Sequence, residues 1–491
     1  MRLHGGAARR CEAALSSRVC VVNMRFEPAS RLQGTLVPPP DKSISHRAAL
    51  LGAMSSYPTR IVNCLDAADT RRTLAAVSAL GALVQVRPAE QGGRRTGSST
   101  GAAAGRSARS QPARAVAGAA ARGRGLEVIV RGTGLREAIE PPKPIDVGNS
   151  GTLLRLLPGW LAAQRGRRFT IDGDESIRRR PVDRVIAPLA QMGARLEARE
   201  GRLPPLRITG SRLRAISCEL PVASAQVKSC VLLAALAADG ATTIGEPAPS
   251  RDHTERMLKR AGVKIHRFGH HVTVVNVDEL VLEHVTVPAD LSSAAFMLVA
   301  ATLIAGSHLT LKGVGVNWTR TGFLRILERM GAAVEVPSQE APFSDLAEHE
   351  PICDLQVHAA PLHSTVIEPE EVPLAIDELP LVGLLGCFAD GETVVRGAAE
   401  LRVKETDRIE GVVAGLSGLG AQIEGSSDGF LVRGTGGLRG GVIDARGDHR
   451  LAMMGAVAGL ASKEGVEVVG IDAAGVSYPD FVTDLKRLTR R

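Results

Sequence analysis

The chain reads as an α/β protein built from six copies of one unit, each with two helices and several strands. Two interleaved series of glycines predict this. In the first, LGALVQV from Leu80, MGARLEA from Met192, AGVKIHR from Ala261, MGAAVEV from Met330 and LGAQIEG from Leu419 each place a glycine after an amphipathic stretch and before period-2 alternation. Glycines 81, 193, 262, 331 and 420 therefore read as left-handed helix caps ahead of strands. In the second series a mostly apolar helix ends at Gly166, Gly240, Gly306, Gly391 and Gly465 before strands such as RRFTID and ETVVRG, with Ser55-Ser56 in the first such place.

The spacing gives the period. The first-series gaps are 112, 69, 69 and 89 residues. A Gly/Ala/Ser/Arg-rich stretch near 89–124 lengthens the first gap, and a Pro- and acid-rich insert near 337–352 lengthens the last, leaving a repeat of roughly 70 residues. The sixth copy is complete only if an N-terminal strand near Met24 to Val37 pairs with the C-terminus. Such repeats form a ring or two lobes of three; a solenoid is disfavoured because the end copies lack polar caps.

Composition agrees with a globular enzyme. The 491 residues are 44% hydrophobic but only 3% aromatic, so aliphatic and small residues fill the cores. No apolar run reaches the roughly 18 residues of a membrane span, so no membrane partner is expected. The net charge of +8 is concentrated: residues 87–124 carry +7 and residues 1–24 carry +3, which leaves −2 for the rest. A near-neutral body argues against nucleic acid as the partner. Seven scattered cysteines without a Cys-x-x-Cys pair indicate reduced thiols, a cytoplasmic location and no metal site. The first 23 residues lack the apolar core of a secretory signal and read as an extension, with Met24 as a candidate start.

The six apolar helices share one oddity, a polar or charged cluster at the start. These clusters are Asp41-Lys42-Ser43-Ile44-Ser45-His46-Arg47, Gly148-Asn149-Ser150-Gly151-Thr152, Ser224-Ala225-Gln226-Val227-Lys228, Asp290-Leu291-Ser292-Ser293, Ile376-Asp377-Glu378 and Asp448-His449-Arg450. N-capping accounts for one small polar residue per helix, and for the Asp290 cluster capping is the favoured reading. It does not account for Lys42, Arg47 and Arg450, because a cation near a helix N-terminus opposes the macrodipole. Six such ends facing one cleft would bind phosphate or carboxylate. Gly151 would let backbone approach a ligand closely. Two further cationic stretches stand outside this series, Arg178-Arg179-Arg180-Pro181 and Arg402 to Arg408, and in the second Lys404 and Arg408 are spaced to share a helix face.

With these motifs assembled, the chain resembles the 5-enolpyruvylshikimate-3-phosphate synthase family from about Arg25 to Phe481. DKSISHRAALLGA, GNSGTLLR, GDESIRRRP, SAQVKSCVLLAAL, SRDHTERML, DLSSAAF, LRVKETDRI and DHRLAM look like that family's blocks in the family's order. The resemblance implies an inside-out α/β barrel in two lobes, each of three βαβαββ units. It implies a continuous lobe over 42–288 and a discontinuous lobe joining 24–41 to 289–491; the basic insert at 89–124, read as disordered from its composition, has no counterpart in the family. It also implies a cytoplasmic, cofactor-free and monomeric transferase on the route to chorismate and the aromatic amino acids.

Carried over residue by residue, shikimate 3-phosphate would be held by Lys42, Ser43, Arg47, Ser224, Gln226, Ser250, Arg251, Asp377 and Lys404. Phosphoenolpyruvate would be held by Lys42, Gly151, Arg180, Gln226, Arg408 and Arg450. Asp377 would accept the 5-hydroxyl proton, and Glu405 or Lys42 would protonate the methylene. Departures from the family are Val476, where some members carry Lys, and Glu400, where some carry Asn. Gly151 implies sensitivity to glyphosate, since Ala there goes with tolerance in the family. The related transferase that acts on UDP-N-acetylglucosamine is disfavoured, because Ser43 follows Lys42 and no Cys lies between Thr152 and Arg184. A non-catalytic, nucleic-acid-associated repeat protein using the basic insert is the other alternative.

Overall fold

The computed structural model describes residues 22–88, 124–337, 341 and 345–489. The basic extension and nearly all of the basic insert expected at 89–124 lie outside these residues. Six mostly apolar helices form the interior: α1 (Lys42–Met54), α2 (Gly151–Leu161), α3 (Ala225–Ala235), α4 (Leu291–Leu303), α5 (Leu379–Gly386) and α6 (His449–Ala461). They are buried nearly all round; in α4 every residue from Leu291 to Thr302 is buried, as expected of a helix without a polar face. Helices α1, α2 and α3 pack together, and so do α4, α5 and α6. Gly159 permits the closest of these approaches, since a Cβ there would meet the Cys230 carbonyl at 2.1 Å.

Sheets cover the helices. Among the described residues there are five four-stranded sheets and one three-stranded sheet. In the repeated pattern one strand pairs in parallel with a second, which pairs antiparallel with the third, as in Ser217–Glu219, Ala241–Gly245 and His271–Val275. Amphipathic helices such as Asp183–Gln191 and Gly322–Arg329 each bury one stripe against these layers. The ten glycines of the two series all have φ between +71° and +105°, the left-handed conformation expected of helix caps. The five cysteines among the described residues are free thiols, and no described helix is long and apolar enough to cross a membrane.

The N-terminal segment differs from its expected single strand. Asn23–Phe26 pairs antiparallel with Val466–Val469 near the C-terminus, while Gln33–Leu36 runs parallel to His308–Leu311 in another sheet. Pro28 divides the two, because it lacks the N–H a continuous ladder needs.

The hydrophobic core falls into two clusters. One spans residues 44 to 287 and takes in Leu346; the other joins Phe26, Leu32 and Leu36 to residues between Ala289 and Leu488. The chain crosses between these lobes twice, side by side. The Asp41 N–H donates to the Pro288 carbonyl at 2.9 Å, and the Asp290 N–H to the Pro39 carbonyl at 2.8 Å. Arg320 braces this crossing through Asp290 at 2.7 Å and Asp41 at 3.4 Å.

Candidate active site

The starts of the six interior helices converge on a cavity of about 480 Å³ between the lobes. Five of the helices begin with a side chain that accepts from a free backbone N–H: Asp41 from Ile44, Ser150 from Leu153, Ser224 from Val227, Asp290 from Ser292 and Asp448 from Arg450. Asp377 is free of that duty, because α5 is preceded by Glu378 and has no side-chain cap. Its carboxylate points into the cavity.

Asp377 is the meeting point of four cations. Arg251 of the first lobe donates to it directly, Arg408 lies 3.4 Å away, Arg450 3.5 Å and Lys404 3.7 Å. Burial pushes its carboxyl up, but Arg450, Arg251, Lys404 and Arg408 outweigh that and hold it well below the usual carboxylate range. Glu405 behaves alike: burial raises it, while Arg408, Arg180, His449 and Lys42 bring it well below. Glu405 stands 2.5 Å from Arg408 of its own lobe and 3.4 Å from Arg180 of the other.

Lys42 sits 3.1 Å from Asp69. Gln226 accepts from Arg155 at 3.0 Å and donates to Thr152 at 3.1 Å. Arg180 is anchored by Asn149 at 2.6 Å and Ser176 at 3.2 Å, whereas Arg178 and Arg179 pair outward with Asp172 and Glu175. A Cβ on Gly151 would stand 2.7 Å from the Arg180 guanidinium, so the glycine leaves that group its place. Ser250 donates to Glu246 at 2.5 Å.

Lys42, Ser43, Gly151, Arg180, Ser224, Gln226, Ser250, Arg251, Asp377, Lys404, Glu405, Arg408 and Arg450 all line the cavity. Arg47 stands behind the wall, donating to Ser43 O at 3.1 Å, Ser229 at 2.9 Å and Thr254 at 2.8 Å. One expectation is corrected. Lys404 and Arg408 share no helix face: Lys404 closes the short 3-10 helix Ala399–Val403, and Arg408 opens the helix Arg408–Gly418. Both still reach Asp377, because the turn between them folds around it. Asp290 caps α4 as expected and also lines the cavity and pairs with Arg320, and burial beside Asp41 raises its carboxyl to about 6.

Several lining groups carried no signal in the sequence. Asp69, Arg184 and Arg320 reach the cavity from elements whose spacing marks no site, while Arg155 on α2 and His449 at the start of α6 lie on marked helices without an assigned role. Arg184 bridges the lobes at the cleft, 2.8 Å from both carboxylate oxygens of Glu400.

The family model for EPSP synthase (3-phosphoshikimate 1-carboxyvinyltransferase) matches residues 26–106 and 116–485, so only 107–115 of the basic segment falls outside it. A 3-phosphoshikimate 1-carboxyvinyltransferase of Prochlorococcus marinus is 42% identical, covering 94% of this chain and 96% of its own. That of Desulfitobacterium hafniense is 44% identical over the same shares. Among solved structures, the EPSP synthase of Acinetobacter baumannii superposes with a TM-score of 0.76 at 35% identity, covering 95% of this chain and 98% of its own. The enolpyruvyl transferase NikO of Streptomyces tendae, at 18% identity and a TM-score of 0.70, shares the two-lobed fold. With the family model spanning nearly all of the described chain and relatives above 40% identity along its length, this protein belongs to the EPSP synthase family.

Proposed function

We propose that the cleft joins phosphoenolpyruvate to the 5-hydroxyl of shikimate 3-phosphate and releases phosphate, by addition and then elimination. The observation that carries this is the gathering of Arg251, Lys404, Arg408 and Arg450 around one carboxylate, Asp377, in a cleft between two lobes. Two substrates bearing phosphates and a carboxylate need such a set of guanidinium forks and ammonium groups.

Shikimate 3-phosphate takes Lys42, Ser43, Ser224, Gln226, Ser250, Arg251, Asp377 and Lys404, with Arg47 supporting from behind. Phosphoenolpyruvate takes Lys42, Gly151, Arg180, Gln226, Arg408 and Arg450. In the addition, the 5-hydroxyl oxygen bonds to C2 of phosphoenolpyruvate, its proton passes to Asp377, and a proton from Glu405 or Lys42 reaches the methylene carbon. In the elimination, a methyl proton returns to the Glu405 or Lys42 group that supplied it, the double bond re-forms and the C–O bond to phosphate breaks, the phosphate leaving with the proton held by Asp377. Low basicity in the empty cleft suits this scheme. Substrate anions that engage Arg251, Arg408 and Arg450 draw those cations away from Asp377 and Glu405, which raises their proton affinity as the reacting atoms arrive. The remaining cations stabilise the departing phosphate.

The domain boundaries we propose follow the two core clusters, 42–288 for one lobe and 24–41 plus 289–491 for the other. The enzyme acts as a cytoplasmic monomer without metal, cofactor, nucleic acid or membrane, and as a target of glyphosate. UDP-N-acetylglucosamine is disfavoured as acceptor because no cysteine is among the described residues that line the cavity and Ser43 follows Lys42. The test is steady-state phosphate release from phosphoenolpyruvate with either acceptor. Turnover with shikimate 3-phosphate and none with the nucleotide sugar is expected; the reverse pattern would overturn the assignment.

A further inference from the structure

The insert that breaks the repeat period after Glu335 ends in residues 345–350, and these leave their own lobe. Leu346 is buried in the core of the other lobe, and Lys259 of that lobe donates to its carbonyl. Arg256 donates to the His349 carbonyl at 2.9 Å. Glu350 stands 2.7 Å from His253 Nδ1, with the two side chains 8% and 1% exposed, and accepts from Asn317 at 2.9 Å. Asn317 also donates to Asp252 at 2.7 Å, which Arg256 and Arg267 hold at 2.8 Å and 3.2 Å. Arg267 in turn lies over the ring of Trp318, 5.4 Å from its centre.

Asn317, Trp318 and Glu350 come from one lobe, and Asp252, His253, Arg256 and Arg267 from the other. Together they clasp the first turn of the helix His253–Arg260. The residues immediately before that turn are Ser250 and Arg251, and the Arg251 side chain reaches back across the cleft to Asp377. Each of the two buried carboxylates has a partner on the facing lobe, Asp252 in Asn317 and Glu350 in His253, so the turn is tied to the lobe that carries Asp377.

We infer that Asn317 and Glu350 are positioning residues for the phosphorylated acceptor, acting through Asp252 and His253 to present Ser250 and Arg251. Residues 345–350 are the strap that completes this clasp. The inference rests on the assignment of Arg251 to shikimate 3-phosphate.

The test is steady-state kinetics of the full chain with Glu350→Gln, Asn317→Ala, the double variant, and Arg251→Lys as reference. Glu350→Gln preserves shape and removes the charge, so it decides the question alone should Asn317→Ala not fold. Each single variant is expected to raise KM for shikimate 3-phosphate about tenfold, while kcat and KM for phosphoenolpyruvate move less than about twofold. The double variant should cost no more than the worse single one, because the two residues act as a unit. An unchanged KM for shikimate 3-phosphate in a folded Glu350→Gln enzyme overturns the inference, as does a fall in Tm with all kinetic constants moving together. If Arg251→Lys also leaves that KM unchanged, the assignment of Arg251 itself is what fails.

Discussion

Asp377 and Glu405 illustrate how charge pairing prepares a buried carboxylate for chemistry. Four cations hold Asp377 deprotonated, so Asp377→Asn should retain shikimate 3-phosphate binding by titration calorimetry and lose turnover by about 10² to 10⁴, the range of a lost general base. Near-normal kcat would remove Asp377 from the proton path. Gly151→Ala brings a methyl group within 2.7 Å of the Arg180 guanidinium, whose flexible end can yield. We expect KM for phosphoenolpyruvate to rise and inhibition by glyphosate to weaken, with KM for shikimate 3-phosphate little changed. His46 supplies a stability test. It is fully buried beside Thr73 at 2.6 Å, and burial, with Lys42 and Arg47 nearby, lowers it to about 3 from its ordinary 6.5. Between those values the unfolded chain binds a proton that the folded chain does not. Its stability is therefore fully present above pH 6.5 and is lost as pH falls, by about 1.4 kcal/mol per pH unit. Denaturant unfolding between pH 6.5 and 5 should show this share of the slope, and His46→Gln should remove it while the share of the likewise buried His449, also lowered to about 3, remains. At this scale the sequence was most informative where a residue defied a local rule: Lys42 and Arg450 stand at helix starts that repel cations. Asp69 and Arg155 defy nothing, so their place in the cleft was not legible.

Helix starts carry the site because their caps leave the functional side chains free to point inward. Asp448 joins both duties: it caps α6 through the Arg450 N–H at 2.8 Å and pairs with the buried Arg408 at 2.8 Å. Asp448→Ala should therefore cost about 3 kcal/mol or more in denaturant unfolding, because it leaves Arg408 with less compensation. Ser224→Ala, which loses only a cap, should cost about 1 kcal/mol. Equal losses would contradict this division. The repeats were legible because the interior helices are mostly apolar and five of the six are followed by a left-handed glycine. The split of the N-terminal segment at Pro28 was not, since pairing partners hundreds of residues away decide which sheet each half joins. The turn between Lys404 and Arg408 was misread for a related reason: their spacing fits one helical face, but Asp377 gathers them from two separate elements.

The two lobes meet through ion pairs of opposite origin, Arg180 with Glu405, Arg184 with Glu400 and Arg251 with Asp377. Such pairings depend on how the halves sit, which no local pattern encodes. Arg184 and Glu400 are partly exposed, so their pair contributes at most about 1 kcal/mol and weakens with salt. Arg184→Glu alone would set two anions face to face at the cleft and should lower kcat/KM for phosphoenolpyruvate about tenfold, a change of about 1.4 kcal/mol. Arg184→Glu with Glu400→Arg should recover most of it, and failure of the swap would show that the pair does not set the closed arrangement. The central claim is that the closed cleft moves an enolpyruvyl group rather than simply hydrolysing a phosphate ester. Rapid-quench single turnovers with phosphate-labelled phosphoenolpyruvate test it most directly. The account predicts that label reaches inorganic phosphate only when shikimate 3-phosphate is present, passing through a transient adduct that contains both substrates; release of labelled phosphate without the acceptor would contradict it.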